Sequence, residues 1–186
     1  AARTEYLAAK DRDELRFRAP ESFNAMIREV AAARGATVVD VQAALAAASP
    51  GGIIGSTLML EHVHPNVDGY FRLASAFFPA IVQWAGAASV GVDDEQARRE
   101  LPVTEVDRLQ GEHRVALLRN DWPFVPERRP TEIPGPTTKI EEIAQRWFVG
   151  QISWAQAMEE ALAEYQRTGN FVEAARVAVN LADGFV

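Results

Sequence analysis

Residues 20–48 read PESFNAMIREVAAARGATVVDVQAALAAA, and this stretch decides the fold that the sequence predicts. Pro20 suits the first turn of a helix, and apolar side chains follow it at the spacing of one helical face. Gly35 ends that helix, and the β-branched run Ala36–Val41 predicts a buried strand. A short alanine-rich helix follows. This helix–strand–helix order is typical of a parallel α/β sheet.

The rest of such a sheet is missing from the sequence. A strand buried on both faces must pair with neighbours, because its backbone groups need partners. Either weaker strands accompany this one, or it pairs with another chain, or the chain is the C-terminal part of a longer protein. The start at Ala1 and the apolar end at Val186 favour the last reading. An incomplete sheet seeks partners at its edge, so we expect the chain to self-associate.

Composition restricts the classes of function. The chain has 186 residues, enough for one domain or for one domain with a small appendage. With 26 acidic and 19 basic residues, its net charge of −7 gives no electrostatic reason to bind nucleic acid or an anionic membrane. The absence of cysteine excludes disulfides, cysteine nucleophiles and thiolate metal sites. The compartment cannot be assigned from these features.

The chain is expected to contain three parts. Residues 1–86 hold the α/β segment, and residues 87–136 form a linker with one helix and a proline-rich stretch. Trp122, in that stretch, is predicted to be buried and to pin the linker. Residues 137–186 are predicted to be helical.

Two groups of helices carry clear signals. A helix from about Asp68 has an apolar face, and Pro79 within it should kink or split the helix. The face is formed by Tyr70, Leu73, Ala74, Phe77, Phe78, Ile81 and Trp84. A helix start is indicated by the pair Thr104/Asp107, and three more in the C-terminal part by the pairs Thr138/Glu141, Ser153/Gln156 and Asn170/Glu173.

The last two predicted helices form an αα-hairpin that resembles a tetratricopeptide repeat. The small and aromatic positions that carry this resemblance are Leu162, Tyr165, Gly169, Ala174 and Ala178. Helical repeats of this kind bind other proteins, so the resemblance implies a protein partner for the C-terminal helices.

Candidate chemistry concentrates in residues 60–70, LEHVHPNVDGY, which contain two of the three histidines. Glu61 precedes His64 by three residues, so a tight loop can place its carboxylate on one ring nitrogen and leave the other free to take a proton. These two residues are the predicted catalytic pair. Two alternatives remain open: His64 caps a helix start, or Glu61, His62 and His64 hold a metal.

The string from Glu61 to Tyr70, with its His-Pro-Asn and Gly-Tyr elements, resembles the last conserved block of SGNH hydrolases, the GDSL-type esterases. Leu15–Pro20 with Asn24, and Val38–Val41, resemble the stretch upstream of that block. The resemblance covers about residues 5–84. It implies a flavodoxin-like three-layer α/β fold, with His64 as general base and Glu61 as the acid that orients it.

The family's Gly-Asp-Ser nucleophile block and its oxyanion-hole residues are not recognisable in this chain. The resemblance therefore implies a fragment of a serine ester hydrolase that acts on a small carboxylic ester or O-acetyl group. The parent would be an enzyme without a cofactor or metal, and this chain alone would be inactive. The alternative is a non-catalytic protein-interaction module built on the tetratricopeptide-like helices.

Overall fold

A computed structural model describes residues 2–14, 17–88, 91 and 93–184. Across these ranges the secondary structure is helical, and the one β feature is an isolated antiparallel bridge between Met59 and Pro65. The predicted α/β fold, with part of a flavodoxin-like SGNH hydrolase domain, is therefore wrong. Leu15 and Arg16, which helped to carry that resemblance, lie outside the described residues, as does Val186.

The chain divides into two compact units, residues 1–92 and 93–186, called here the N-terminal and C-terminal units. The helices of the N-terminal unit are α1 (Ala2–Asp11), α2 (Glu21–Arg34), α3 (Val41–Ala47) and α4 (Val67–Trp84), with a 3₁₀ turn at Pro50–Gly52. α4 runs through Pro79 as one helix, so the proline does not split it.

The predicted strand at Ala36–Val41 is an extended connection between α2 and α3. Gly35 ends α2 in the left-handed conformation, as expected, and Asp40 caps α3 by accepting a hydrogen bond from the Ala43 N–H at 2.9 Å. Val38 is 41% exposed. β-branched residues favour a strand where a neighbouring strand covers them, and the described residues contain no such neighbour.

The N-terminal unit buries few apolar side chains. Its buried apolar residues are Ala31, Leu45, Leu58 and Phe71. α3 packs against α4, whereas α2 is joined to its neighbours mainly through polar groups. Glu21 pairs with Lys10 of α1, and Gln42 of α3 donates a 2.8 Å hydrogen bond to Glu21. The apolar stripe of α2 is left exposed: Phe23, Met26, Ile27 and Val30 are each 51–57% exposed.

The C-terminal unit contains α5 (Asp94–Arg99), α6 (Glu105–Arg119), α7 (Lys139–Phe148), α8 (Trp154–Thr168) and α9 (Phe171–Gly184). The predicted capping boxes at Thr104, Thr138 and Ser153 are confirmed, because each side chain accepts from the N–H three residues later. The proline-rich stretch has no helix or strand over residues 126–137. Trp122 is 60% exposed, so its predicted burial is wrong.

A continuous core fills the C-terminal unit. α6 packs on α7, α7 on α8, and α8 on α9. The buried apolar residues are Val106, Ile143, Ala144, Ile152, Ala157, Met158, Ala161, Tyr165, Ala174 and Val177. Gly169 in the left-handed conformation ends α8 and allows α9 to turn back beside it, so the predicted αα-hairpin is confirmed.

Candidate functional site

A tight loop before α4 holds the predicted catalytic pair. The Leu60 N–H donates to the His64 carbonyl at 2.8 Å, and the Asn66 N–H donates to the Leu58 carbonyl at 2.9 Å. These two bonds close the loop around the Met59–Pro65 bridge. Asn66, rather than the predicted Asp68, caps α4 by accepting from the Gly69 N–H at 2.9 Å.

Gly69 fixes how closely the loop approaches the first turn of α4. The residue is buried, and a Cβ built on it would collide with the Leu58 carbonyl oxygen and lie 2.8 Å from the Pro65 Cβ. No side chain fits at that distance from a backbone oxygen. The helix start and the loop therefore pack at a separation that requires glycine.

Glu61 is the centre of this loop. Its carboxylate accepts hydrogen bonds from the N–H groups of Val63 at 2.9 Å and His64 at 2.7 Å. The same carboxylate contacts Nδ1 of the His64 ring and lies 2.6 Å from Nδ1 of His62. The structure thus brings Glu61 and His64 together, as their spacing suggested, while the catalytic role of the pair stays a prediction.

Electrostatics favour the charged form of Glu61. Burial alone would raise the pKa of this carboxyl, because the side chain is only 2% exposed. The N–H groups of His64 and Val63 and the two histidine rings outweigh that effect and hold the Glu61 pKa below its ordinary value. Glu61 therefore acts as a fixed negative charge that organises the loop.

The loop can orient a histidine, but among the described residues no serine hydroxyl is hydrogen-bonded to that ring. The carboxylate engages Nδ1 of His64, whose side chain is 61% exposed, and this leaves Nε2 available to accept a proton. A triad needs a nucleophile bonded to that nitrogen. The hydroxyl of Ser49 donates instead to the Leu45 carbonyl, and Ser153 caps α8. The helical fold overturns the assignment of this segment to an SGNH hydrolase with its catalytic triad.

His62 has a role that the sequence did not reveal. Its ring packs edge-on against Phe17, with ring centroids 4.9 Å apart, in addition to its contact with Glu61. Over the described ranges, no group of three His, Asp or Glu side chains is arranged to hold a metal ion. The metal alternative at Glu61, His62 and His64 therefore has no support.

A second candidate site is the outer face of α9. The buried face of α9 includes Ala174, Val177 and Asn180. The opposite face is also apolar: Phe171 and Val172 are each 72% exposed and Val179 is 57% exposed. Ala175, Ala178 and Ala182 complete this exposed face. Ala178, one of the positions that carry the resemblance to a tetratricopeptide repeat, lies on this outer face.

The unit that carries this face is acidic. Residues 93–186 contain 17 acidic and 11 basic residues, a net charge of −6, whereas residues 1–92 contain 9 and 8, a net charge of −1. The outer face itself carries no charged side chain between Phe171 and Ala182. An apolar helix face on an acidic unit is the arrangement expected of a site for a basic amphipathic segment.

Comparisons with known proteins gave no relative. No family model matches the chain, and neither the curated proteins nor the solved structures contain a significant match. No helix among the described residues is both long and apolar enough to cross a membrane.

Proposed function

We propose that the C-terminal unit is a protein-interaction module, and that the outer face of α9 binds an amphipathic helix of another protein. The exposed apolar face of α9 is the observation that carries this proposal. An exposed apolar patch on a protein surface often marks an interaction site, and the residues of α9 that are buried lie on the opposite face, where α8 packs.

The packing order of the C-terminal helices supports this mode of binding. α7, α8 and α9 each pack mainly on their neighbours in the chain, which is compatible with a helical-repeat arrangement. In such arrangements the last helix presents a face on which a further helix can pack. A partner helix would pack on α9 in the same way that α9 packs on α8.

The negative charge of the C-terminal unit favours a basic partner helix. The net charge of −6 on the C-terminal unit attracts cations over roughly 8 Å at physiological salt. A helix with an apolar stripe and lysine or arginine on its other faces would bury the stripe against Val172 and Val179. Its basic side chains would be attracted by the net negative charge of the unit.

Fluorescence anisotropy with a labelled Leu/Lys amphipathic peptide of about 18 residues tests this proposal, since that length forms a stable helix. Val179→Asp removes an apolar contact and adds a negative charge. If the apolar face seats the helix, the variant binds more weakly; if charge alone attracts the peptide, it binds at least as tightly. Ala163→Asp, on an exposed position of α8, is the matched control and should not weaken binding. A scrambled peptide of equal charge that binds equally well would refute the proposal.

A second candidate function rests on the contact between Glu61 and His64. This pair supports general-base chemistry at Nε2 of His64, and hydrolysis of a carboxylic ester is the reaction predicted for it. Because Ser49 and Ser153 bond elsewhere, this chain alone should not hydrolyse a short-chain chromogenic acetate ester above background. His64→Ala should leave that background unchanged. Hydrolysis that the variant abolishes would show that a nucleophile or an activated water completes the site.

A further inference from the structure

The exposed face of α4 has the spacing of a two-helix seam. Six apolar residues recur at intervals of three and four, and all six are exposed: Val67, Tyr70, Ala74, Phe77, Ile81 and Trp84. This alternation is the repeat by which two helices pack side by side. On either side of this seam, the first turn of α4 is held in the N-terminal unit, because Gly69 and Phe71 are buried. We infer that this seam is an interface between two copies of the chain, paired through antiparallel α4 helices.

Charge favours a second copy as the occupant. The charged residues of α4 are Asp68 and Arg72, and none follows from Leu73 to Trp84. The N-terminal unit has a net charge of only −1, so two copies meet there with little repulsion. The face offers no charge to select a basic or an acidic partner. In this respect the N-terminal unit differs from the acidic unit that contains α9.

The order of side-chain sizes along the seam favours antiparallel pairing. When two copies of α4 are reversed about their midpoint, Trp84 meets Val67, Ile81 meets Tyr70, and Phe77 meets Ala74. Each layer then joins a larger side chain to a smaller one, which is how facing helices fill space. A parallel pair would place Trp84 on Trp84 and Ala74 on Ala74. The antiparallel arrangement is also two-fold symmetric, so it closes at two copies.

The exposed area is sufficient for a modest dimer. Tyr70 is 53% exposed, Ile81 is 55% exposed and Trp84 is 89% exposed. Since an aromatic side chain offers about 150–250 Å², the two seams together can bury on the order of 1,200 Å². This area is at the lower end of the range for stable interfaces. The dimer should therefore dissociate on dilution.

Sedimentation velocity of the full chain over a range of concentrations tests the inference. The wild-type chain should change from monomer to dimer as concentration rises. Ile81→Lys should raise the dimer dissociation constant about tenfold or more. Gln83→Lys adds the same charge at an exposed position of α4 outside the seam, and it should leave dimerisation nearly unchanged. Far-UV circular dichroism would check that both variants keep their helix content.

A mixing experiment tests the direction of pairing. Tyr70→Glu and Ile81→Lys should each be monomeric alone, because each places a charge in the seam. Mixed in equal amounts, they should form a heterodimer, since residue 70 of one copy faces residue 81 of the other only in the antiparallel pair.

Either of two results would overturn the proposed dimer. A wild-type chain that stays monomeric at the highest soluble concentration would overturn it, and so would an Ile81→Lys variant that associates as well as Gln83→Lys. Failure of the mixed variants to associate would overturn the antiparallel arrangement. Val179→Asp on α9 should not affect dimerisation, so the dimer and the docking function can fail separately.

Discussion

The two units of this chain contain similar amphipathic helices, but the C-terminal unit buries many more of their apolar side chains. Ile143 of α7 and Met158 of α8 are fully buried, whereas Ile27 of α2 is 57% exposed and Ile81 of α4 is 55% exposed. Apolar periodicity therefore indicates a helix without indicating what covers it.

Short connections account for part of the packing in the C-terminal unit. α8 and α9 are separated by two residues, and α7 and α8 by five, so each helix packs beside its neighbour. Connection length does not decide the packing elsewhere, because α6 packs on α7 across 19 residues. Only six residues separate α2 from α3, yet the contact between Asn24 and Gln42 that joins them is polar.

The largest expected effect is a difference in stability between two matched substitutions, one in each unit. Ile143→Ala should lower the unfolding free energy of the C-terminal unit by about 2–5 kcal/mol, because it leaves a cavity in a filled core. Ile27→Ala should change stability by less than about 0.5 kcal/mol, because the side chain is mostly in water already. Urea unfolding of the full chain, followed by circular dichroism, measures both. Equal losses would show that α2 is covered as well as α7.

A glycine pair tests the loop of the N-terminal unit. Gly69→Ala should destabilise this unit by about 1–3 kcal/mol, because the new Cβ collides with the Leu58 carbonyl. Gly111→Ala in α6 meets no atom within 4 Å and should be neutral or stabilising by up to about 1 kcal/mol. Thermal unfolding of the two variants gives the comparison. A neutral Gly69→Ala would mean that the loop does not pack against α4 as described.

Titration of the Tyr165 phenol tests whether this side chain is buried in the C-terminal core. Burial raises the pKa of Tyr165 to about 12, so this phenol stays neutral while an unfolded tyrosine ionises near pH 10. The contribution of the buried, neutral Tyr165 phenol to the free energy of unfolding is fully present below pH 10, and it is lost as pH rises towards 12. Ultraviolet absorbance should show a late-titrating tyrosine that Tyr165→Phe removes. If that variant leaves the titration curve unchanged above pH 11, the phenol is not buried.

The smallest expected effect concerns the loop at Glu61. The pKa of Glu61 is held below its ordinary value, so its contribution to stability is present above the unfolded pKa of about 4.3 and is lost as pH falls through the lower folded pKa. The protection of the His64 N–H from hydrogen exchange, relative to its intrinsic exchange rate at each pH, should fall over that range in the wild-type chain. Glu61→Gln should remove most of the pH dependence, whereas Glu29→Gln on α2 should not. An unchanged profile in Glu61→Gln would contradict the central role of this carboxylate.

Features set by neighbouring residues in the sequence could be predicted. Thr104, Thr138 and Ser153 start helices as expected, because a cap depends on residues three positions apart. The contact between Glu61 and His64 also depends on a separation of three residues, and it is present.

Features that depend on distant partners could not be predicted. The β-branched run Ala36–Val41 favours a strand only if a neighbouring strand exists, and none is present in the described part of the chain. The resemblance to SGNH hydrolases relied on that strand and on the short string around His64. Because the strand does not form, the fold that the resemblance implied is wrong. The exposure of Phe171 and Trp84 could not be read from periodicity either, because one helix pattern suits a covered face and an uncovered one.

Hydrogen exchange of the full chain, read by mass spectrometry at low and high protein concentration, tests the central claim most directly. The account predicts slow exchange in α7 and α8 at both concentrations, fast exchange in α2 at both, and slower exchange in α4 at high concentration only. Exchange in α2 as slow as in α8 at low concentration would contradict the claim that the apolar stripe of α2 is uncovered while α8 lies in a filled core.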